Sequence, residues 1–292
     1  MTTLTQPTTR TLEVPGAVLA YDVREGGSDT FPALFLIGSP MGAGGFATLA
    51  GHFADRTVVT YDPRGVERSQ KADPASPSTP EQHADDLHRI IGELGGGPVD
   101  LFASSGGAVN ALALVARHPE DVRTLVAHEP PLASILPDRE AAKALTRAVG
   151  ETYQRSGFGA GMAHFITVVS HKGPITADFA GQPGPDPAMF GMPADDDGSR
   201  TDALLAQNIV TCTHYEPDFD ALRSAPTRIV LAAGTGSDGE MAHRGAVAAA
   251  ERLGTEPVDF PSDHGGFLGG EYGQTGEPDA FAARLREVLT AG

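Results

Sequence analysis

The stretch Val-Asp-Leu-Phe-Ala-Ser-Ser-Gly-Gly at residues 99–107 decides the fold of this chain. Its apolar, strand-forming part ends at Ala103, and two serines and two glycines follow directly. Residues 108–118 then have helical character up to Pro119. This pattern predicts a buried strand, a sharp turn with Ser105 at its apex, and a helix.

The turn matches the pattern Gly-x-Ser-x-Gly, with Ala103 in place of the first glycine. Such a turn holds the serine in a strained backbone conformation and exposes its hydroxyl. The flanking residues must be small, because strand and helix approach each other closely there. A glycine-rich turn in an ordinary β-α unit is the alternative interpretation, but the strand before and the helix after favour Ser105 as a candidate nucleophile.

Length, charge and cysteine content limit the class of protein. The chain has 292 residues, enough for one large α/β domain, and its formal net charge of −17 disfavours nucleic acid and anionic membranes as partners. The single cysteine, Cys212, excludes an internal disulfide and a cysteine-based metal cluster. We find no signal peptide in residues 1–10 and no apolar run of membrane-spanning length, so we expect a cytoplasmic protein.

Strand-like and helical segments alternate through most of the chain. The predicted strands are residues 11–15, 17–24, 33–37, 57–61, 99–103, 122–127, 227–233 and 257–260. The first two form a hairpin by their alternating pattern, and most of the others are continuous apolar runs, as in strands covered on both faces. We therefore expect an α/β fold with a mostly parallel eight-stranded sheet and helices on both faces.

The region 132–224 breaks this alternation. It contains helical stretches, with no strong strand, and its breaks are rich in glycine, proline and aspartate. The three aspartates at 195–197 have the composition of a calcium loop without companion ligands, so we interpret them as a solvated loop. The sequence thus predicts a core from residues 1–131 and 225–292 and an inserted helical cap from residues 132–224.

A serine hydroxyl needs a base to take its proton and a third group to orient that base. A turn of the Gly-x-Ser-x-Gly type goes with the chain order serine, acid, histidine, and His264 comes last, directly after the last predicted strand, in the stretch Phe-Pro-Ser-Asp-His-Gly-Gly-Phe. The other histidines lack this placement, although His128, at a strand end, either lines the site or packs. His264 is therefore the candidate base.

The third group has two candidates. Glu129 directly follows the sixth strand, which neighbours the strand that leads to Ser105, and two prolines fix the backbone after it. Asp238 lies in the loop after the seventh strand, the usual position of the acid, but it comes a residue or two late and could simply cap a helix. Position at the strand end favours Glu129, and Asp238 remains the alternative.

The oxyanion of a tetrahedral intermediate needs N–H donors that are already in place. One should come from Gly106, the residue after the candidate nucleophile. The other should come from the loop after the strand at 33–37, where Ser39 is the candidate, Pro40 has no N–H, and Met41 is the fallback.

These motifs resemble those of the α/β-hydrolase superfamily over nearly the whole chain. More narrowly, Ser-Ser-Gly-Gly at 104–107 and His-Glu-Pro-Pro at 128–131 look like the zearalenone lactone hydrolases. That resemblance implies a catalytic triad at the matching positions Ser105, Glu129 and His264.

The resemblance also implies a tryptophan in the cap that contacts the substrate, and this chain has no tryptophan. Phe158, Phe165 or Phe190 would then take its place.

The sequence thus predicts a metal-free, cofactor-free serine hydrolase that cleaves a carboxylic ester or lactone through an acyl-enzyme. A small apolar ester or lactone is the expected partner, with a zearalenone-type macrolactone as the leading specific case, and a homodimer is left open. The alternatives on this fold are a cofactor-free haloperoxidase, a C–C hydrolase or an acyltransferase. A non-catalytic, hydrolase-like binding protein is the alternative from another class.

Overall fold

The computed structural model describes residues 6–27, 30–95 and 97–291. Its sheet has nine strands. They are β1 (Thr8–Val14), β2 (Ala17–Arg24), β3 (Leu34–Ile37), β4 (Val58–Tyr61), β5 (Gln70–Lys71), β6 (Val99–Ser104), β7 (Val122–His128), β8 (Arg228–Gly234) and β9 (Val258–Phe260).

The strands lie in the order β1-β2-β4-β3-β6-β7-β8-β9, and β5 pairs with β2. The pairs that involve β2 are antiparallel, and all pairs from β4 to β9 are parallel. The prediction of a mostly parallel sheet is confirmed, with one strand more than the eight expected. The additional strand, β5, has two residues, too few to produce a period in the sequence.

Nine α-helices occur in the described part of the chain: α1 (Ala47–Gly51), α2 (Pro80–Leu94), α3 (Gly106–Arg117), α4 (Arg139–Val169), α5 (Ala177–Ala180), α6 (Ile209–Thr213), α7 (Phe219–Ser224), α8 (Met241–Leu253) and α9 (Pro278–Thr290). Apolar residues of α2, α3, α7 and α8 pack in one buried cluster with the sheet, and those of α1 and α9 pack in another. The sheet is therefore covered on both faces, as predicted.

The region predicted as a cap, residues 132–224, contains α4 to α7 and several short helical turns, and no strand of the described sheet lies in it. Gly157, with φ of 80°, breaks the helical geometry of α4. Arg244 of α8 pairs with Asp138 at the start of α4 and donates to the carbonyl of Gly173 at 2.9 Å. These contacts fasten both ends of α4 to the sheet-bearing part of the chain.

None of the helices in the described ranges combines the length and the apolar character needed to cross a bilayer.

The loop after β4 is held by buried charges. Arg64 donates to both carboxylate oxygens of Asp86 in α2, at 2.7 and 2.6 Å, and both side chains are almost completely buried. Asp62 accepts from the N–H of Ala43 at 2.8 Å and from Arg68. The loop after β3, which includes Ser39, is thus tied to the loop after β4, so these charged side chains position part of the candidate site.

Asp86→Asn should lower the free energy of unfolding by about 3 kcal/mol, because it leaves the buried guanidinium of Arg64 without its counter-charge. Asp85→Asn, on the same helix, is the matched control, since the Asp85 carboxylate is half exposed and its pair with Arg117 is worth at most about 1 kcal/mol. Urea unfolding of both variants measures the two effects. Equal effects would show that the buried pair does not hold this loop.

Candidate active site

The turn between β6 and α3 has the backbone strain that the sequence predicts. Ser105 has φ of 58° and ψ of −128°, and its N–H donates to the carbonyl oxygen of His128 at 3.0 Å. A Cβ on Gly106 would lie 2.5 Å from the carbonyl oxygen of Ser39, and one on Gly107 would lie 2.8 Å from Gly38. Only glycine fits these two positions without a shift of the backbone, so the sequence Ser-Gly-Gly is required by close approach of the strand, the loop and the helix.

Glu129 and His264 are hydrogen bonded to each other. Oε2 of Glu129 lies 2.6 Å from Nδ1 of His264. The other carboxylate oxygen, Oε1, accepts from the N–H of Gly234 at 2.8 Å and from the hydroxyl of Ser237. The N–H of Glu129 donates to Ala232 at 3.0 Å. The carboxylate is therefore fixed by β8 and its following loop while it orients the imidazole.

The charges of this pair follow from its contacts. Burial alone would raise the pKa of Glu129, but the hydrogen bonds from His264 and Ser237 and the nearby imidazoles lower that pKa to about 2. Burial alone would lower the pKa of His264, but the hydrogen bond and negative charge of Glu129 outweigh it and raise the pKa. Glu129 is thus ionised at neutral pH, and the imidazole is a stronger base than a free histidine.

The alternative acid, Asp238, lies elsewhere. Its side chain is 88% exposed, and its ion-pair partner is His243, at 3.9 Å, rather than His264. The loop after β8 instead contributes Ser237, whose hydroxyl donates to Glu129. The sequence analysis did not identify Ser237 and the N–H of Gly234 as hydrogen-bond donors to the carboxylate. The signal in the sequence was the small residue in the loop after β8, at the place where an acid is usual.

Ser105 and His264 are brought to the same edge of the sheet. Ser105 is bonded through its N–H to His128, and the next residue, Glu129, holds His264. Among the described residues no hydrogen bond joins the Ser105 hydroxyl to His264 itself. Catalytic hydrogen bonds are often long before substrate binds, and the imidazole side chain is 38% exposed, so the ring is open to solvent on one side.

The two predicted oxyanion donors are neighbours. Ser39 is buried and its carbonyl oxygen faces Gly106. In the described chain the N–H groups of Ser39 and Gly106 donate to no other residue. The hydroxyl of Ser39 is also buried and has no partner there. Met41, the fallback donor, packs its side chain against Gly38 and Gly45. The backbones of Ser39 and Gly106 are thus in contact, and their N–H groups remain the candidate oxyanion donors.

His128 packs rather than lines the site. Its ring is completely buried, neither ring nitrogen has a hydrogen-bond partner among the described residues, and its centre lies 6.0 Å from that of His264. Four phenylalanine rings surround it, at centroid distances between 5.2 and 6.4 Å: Phe102, Phe260, Phe267 and Phe281. Burial lowers the pKa of His128 to about 4, so the ring is neutral beside the charged pair.

The aromatic residues proposed in place of a cap tryptophan lie within the helical region 132–224. Phe158 and Phe165 pack against its own buried cluster, and Phe190 ends a short 3₁₀-helix. Phe158 also lines a cavity of about 310 Å³ with Pro193 and polar residues that include Asp202. That cavity contains none of the residues of the candidate triad.

Comparisons with known proteins agree with this geometry. A family model described as "alpha/beta hydrolase fold" matches residues 32–184. The chain is 33% identical over 286 residues to YraK of Bacillus subtilis, described as an uncharacterized hydrolase, with 96% of this chain and 95% of that protein covered. The chain belongs to the α/β-hydrolase family. Its membership supports hydrolysis as the class of reaction.

Solved structures of this family share the fold. A thermophilic esterase from Thermogutta terrifontis has a TM-score of 0.67 at 21% identity, over 98% of both chains. An enol-lactonase from Burkholderia xenovorans has a TM-score of 0.65 at 18% identity, over 96% of this α/β hydrolase and 100% of that chain. At such identities the likeness shows the α/β-hydrolase fold and leaves substrate choice to the site itself.

Glu129→Gln should lower kcat about 1,000- to 10,000-fold, because a neutral amide neither stabilises the imidazolium nor fixes the tautomer. It should also move the acidic limb of the kcat/KM profile to lower pH, since the negative charge that raises the pKa of His264 is gone. Asp238→Asn is the control and should change kcat by less than about twofold, as expected of an exposed side chain. The reverse pattern would make Asp238 the acid.

Replacement of His128 should change how stability depends on pH. Its pKa is about 4 when folded against 6.5 when free, so the unfolded chain binds more protons between these values. Stability contributed by the neutral ring is therefore present above pH 6.5 and is lost as pH falls towards 4.

In His128→Phe, the drop in unfolding free energy from about pH 7 to pH 5 should be smaller than in the parent by about 2 kcal/mol. The quantity compared is the change in unfolding free energy between the two pH values. A packing cost of the larger phenylalanine ring is the same at both pH values and does not affect this change. His171→Phe, at a half-buried ring that contacts the carbonyl oxygen of Pro174, is the control and should keep the parental drop. An unchanged pH dependence in His128→Phe would contradict a neutral buried His128.

Proposed function

We propose that this α/β hydrolase is a serine esterase or lactonase that works through an acyl-enzyme, without a metal or cofactor in the reaction. The observation that carries the proposal is the 2.6 Å hydrogen bond between Glu129 and His264 at the sheet edge where Ser105 stands in a strained turn. A binding protein has no need of a buried carboxylate that fixes the tautomer of a partly exposed imidazole.

In the proposed reaction His264 removes the proton of the Ser105 hydroxyl as the oxygen attacks the substrate carbonyl. Nδ1 of His264 is directed at Glu129, so Nε2 is the nitrogen that takes this proton. The N–H groups of Ser39 and Gly106 stabilise the resulting oxyanion. The imidazolium then protonates the leaving alcohol, and the acyl group stays on Ser105.

Water releases the acyl group in the second half of the reaction. His264 removes a proton from the water molecule, the hydroxide attacks the acyl carbonyl, and the imidazolium returns a proton to the Ser105 oxygen. Glu129 remains ionised throughout, in keeping with its lowered pKa of about 2, and stabilises the imidazolium at each step.

We further propose an apolar ester or lactone of medium size as the substrate, with a zearalenone-type macrolactone as the first specific candidate. The motifs at 104–107 and 128–131 support that candidate through their resemblance to the zearalenone lactone hydrolases. The helical region supplies apolar side chains, and one structurally similar α/β hydrolase is described as an enol-lactonase.

The test measures release of p-nitrophenol from p-nitrophenyl acetate and loss of intact zearalenone, with parent enzyme and Ser105→Ala side by side. We expect turnover by the parent and a loss of at least about 1,000-fold in Ser105→Ala. Mass spectrometry after rapid quenching should show the acyl group on the peptide that contains Ser105.

The outcomes separate the alternatives. Ester turnover without loss of zearalenone removes the specific substrate and keeps the esterase. Transfer of the acyl group to an added alcohol or amine in preference to water identifies an acyltransferase. No turnover and no acyl-enzyme with any ester leaves the C–C hydrolase, haloperoxidase and binding-protein alternatives and ends the proposal.

A further inference from the structure

Two histidines and three carboxylates meet on the surface where α2 passes the C-terminal end of α3. We call them the distal cluster: His88 and Asp85 of α2, His118 at the end of α3, and Glu120 and Asp121 of the next turn. One potential ligand atom each from His88, His118 and Glu120 lies within 4.8 Å of the others. The proposed hydrolytic reaction uses none of these residues.

His88 is already oriented as metal-binding histidines are. Its Nδ1 lies 2.7 Å from Oδ2 of Asp121, whose side chain is mostly buried. A carboxylate at this distance holds the proton on Nδ1 and leaves the lone pair of Nε2 available. Histidine ligands of metals commonly have such a carboxylate behind them, which fixes the ring and increases its basicity.

In the described chain the ring of His118 is held by stacking and makes no hydrogen bond. Its nitrogens lie 3.8 Å from Asp85 and 3.9 Å from Glu120, beyond hydrogen-bond distance. Its ring stacks on that of His88 with centroids 3.9 Å apart and an angle of 13° between the planes. Metal ions lie in the plane of an imidazole ligand, so binding requires the His118 ring to rotate out of the stack while His88 stays in place.

The charge and donor types of the cluster select a class of ion. Asp85, Glu120 and Asp121 are acidic, and the neighbouring cation, Arg117, is already paired with Asp85 at 3.1 Å. Negative charge attracts a cation. Imidazole nitrogens together with a carboxylate suit zinc and related transition ions, whereas calcium and magnesium prefer sites made of oxygen alone.

We propose that the distal cluster binds one divalent transition-metal ion, with Zn²⁺ as the probe of choice. The ligands are Nε2 of His88, a ring nitrogen of His118 and the carboxylate of Glu120, with Asp121 positioning His88. The ion links α2 to the end of α3. Because α3 rises about 1.5 Å per residue, His118 lies about 20 Å along the helix from Ser105, so the site is structural and separate from the catalytic centre.

The experiment uses the full chain without a polyhistidine tag, stripped with a chelator and then titrated with Zn²⁺ by calorimetry. We expect one equivalent to bind and Tm to rise by about 3 °C or more at a hundredfold excess over Kd. Co²⁺ in place of Zn²⁺ should give visible absorption bands of a metal bound to protein nitrogen. Ester turnover is not needed for any of these readouts.

The variants His88→Gln and His118→Gln should each remove the stoichiometric binding and the rise in Tm. Asp121→Asn should weaken binding by about 10- to 100-fold, as expected for a residue that only positions a ligand. His171→Gln, which changes a half-buried histidine that stacks on Phe179, is the matched control and should bind as the parent does. Each variant is also melted without metal, so a folding defect is seen separately.

Binding that survives in both His88→Gln and His118→Gln would place the ion elsewhere, at His264 and Glu129 for example, and overturn the proposal. A parent protein that takes up no Zn²⁺ at millimolar concentration would overturn it too.

Discussion

The buried carboxylate of Glu129 is the interaction on which the candidate site depends. One of its oxygens accepts hydrogen bonds from the N–H of Gly234 and the hydroxyl of Ser237, and the other accepts from His264. An ionised carboxylate without water around it would be very costly, and these charge-assisted hydrogen bonds offset that cost. The same contacts that keep Glu129 charged also fix the loop after β8 and the ring of His264. These hydrogen bonds therefore both stabilise the fold at this edge of the sheet and orient the base.

The residue before Glu129, His128, is in a less favourable environment. His128 is fully buried, both of its ring nitrogens lack a hydrogen-bond partner in the part of the chain that the structure describes, and a buried polar group in that state costs free energy. The ring is accommodated because burial keeps it neutral and because phenylalanines such as Phe102 and Phe281 pack around it. Because the ring of His128 is neutral, it does not compete with His264 for the negative charge of Glu129. The strand end thus combines a satisfied carboxylate with an unsatisfied imidazole in successive residues.

The sequence predicts what short-range patterns control and misses what distant chain segments bring together. Residues 99–107 define the strand, turn and helix correctly because Gly106 and Gly107 have no alternative at such close contact. The two-residue strand β5 carries no periodic signal. Ser237 is 108 residues from Glu129 along the chain, and nothing in its neighbours indicates that its hydroxyl supports a carboxylate on another strand. The roles proposed for Ser105, Glu129 and His264 stay predictions until activity is measured, although their geometry is compatible with them.

The position of the acid has a simple geometric explanation. The strand β8 lies between β7 and β9, so an acid at the end of β7 is one strand spacing, about 4.8 Å, farther from the loop that carries His264 than an acid at the end of β8. Glutamate has one methylene more than aspartate, and the positive φ of Glu129, 49°, turns the backbone at the strand end. A second carboxylate at position 237 would face that of Glu129, and the like charges would repel. Ser237 is uncharged and donates a hydrogen bond to Glu129 instead. A serine after β8 is therefore what a glutamate after β7 requires.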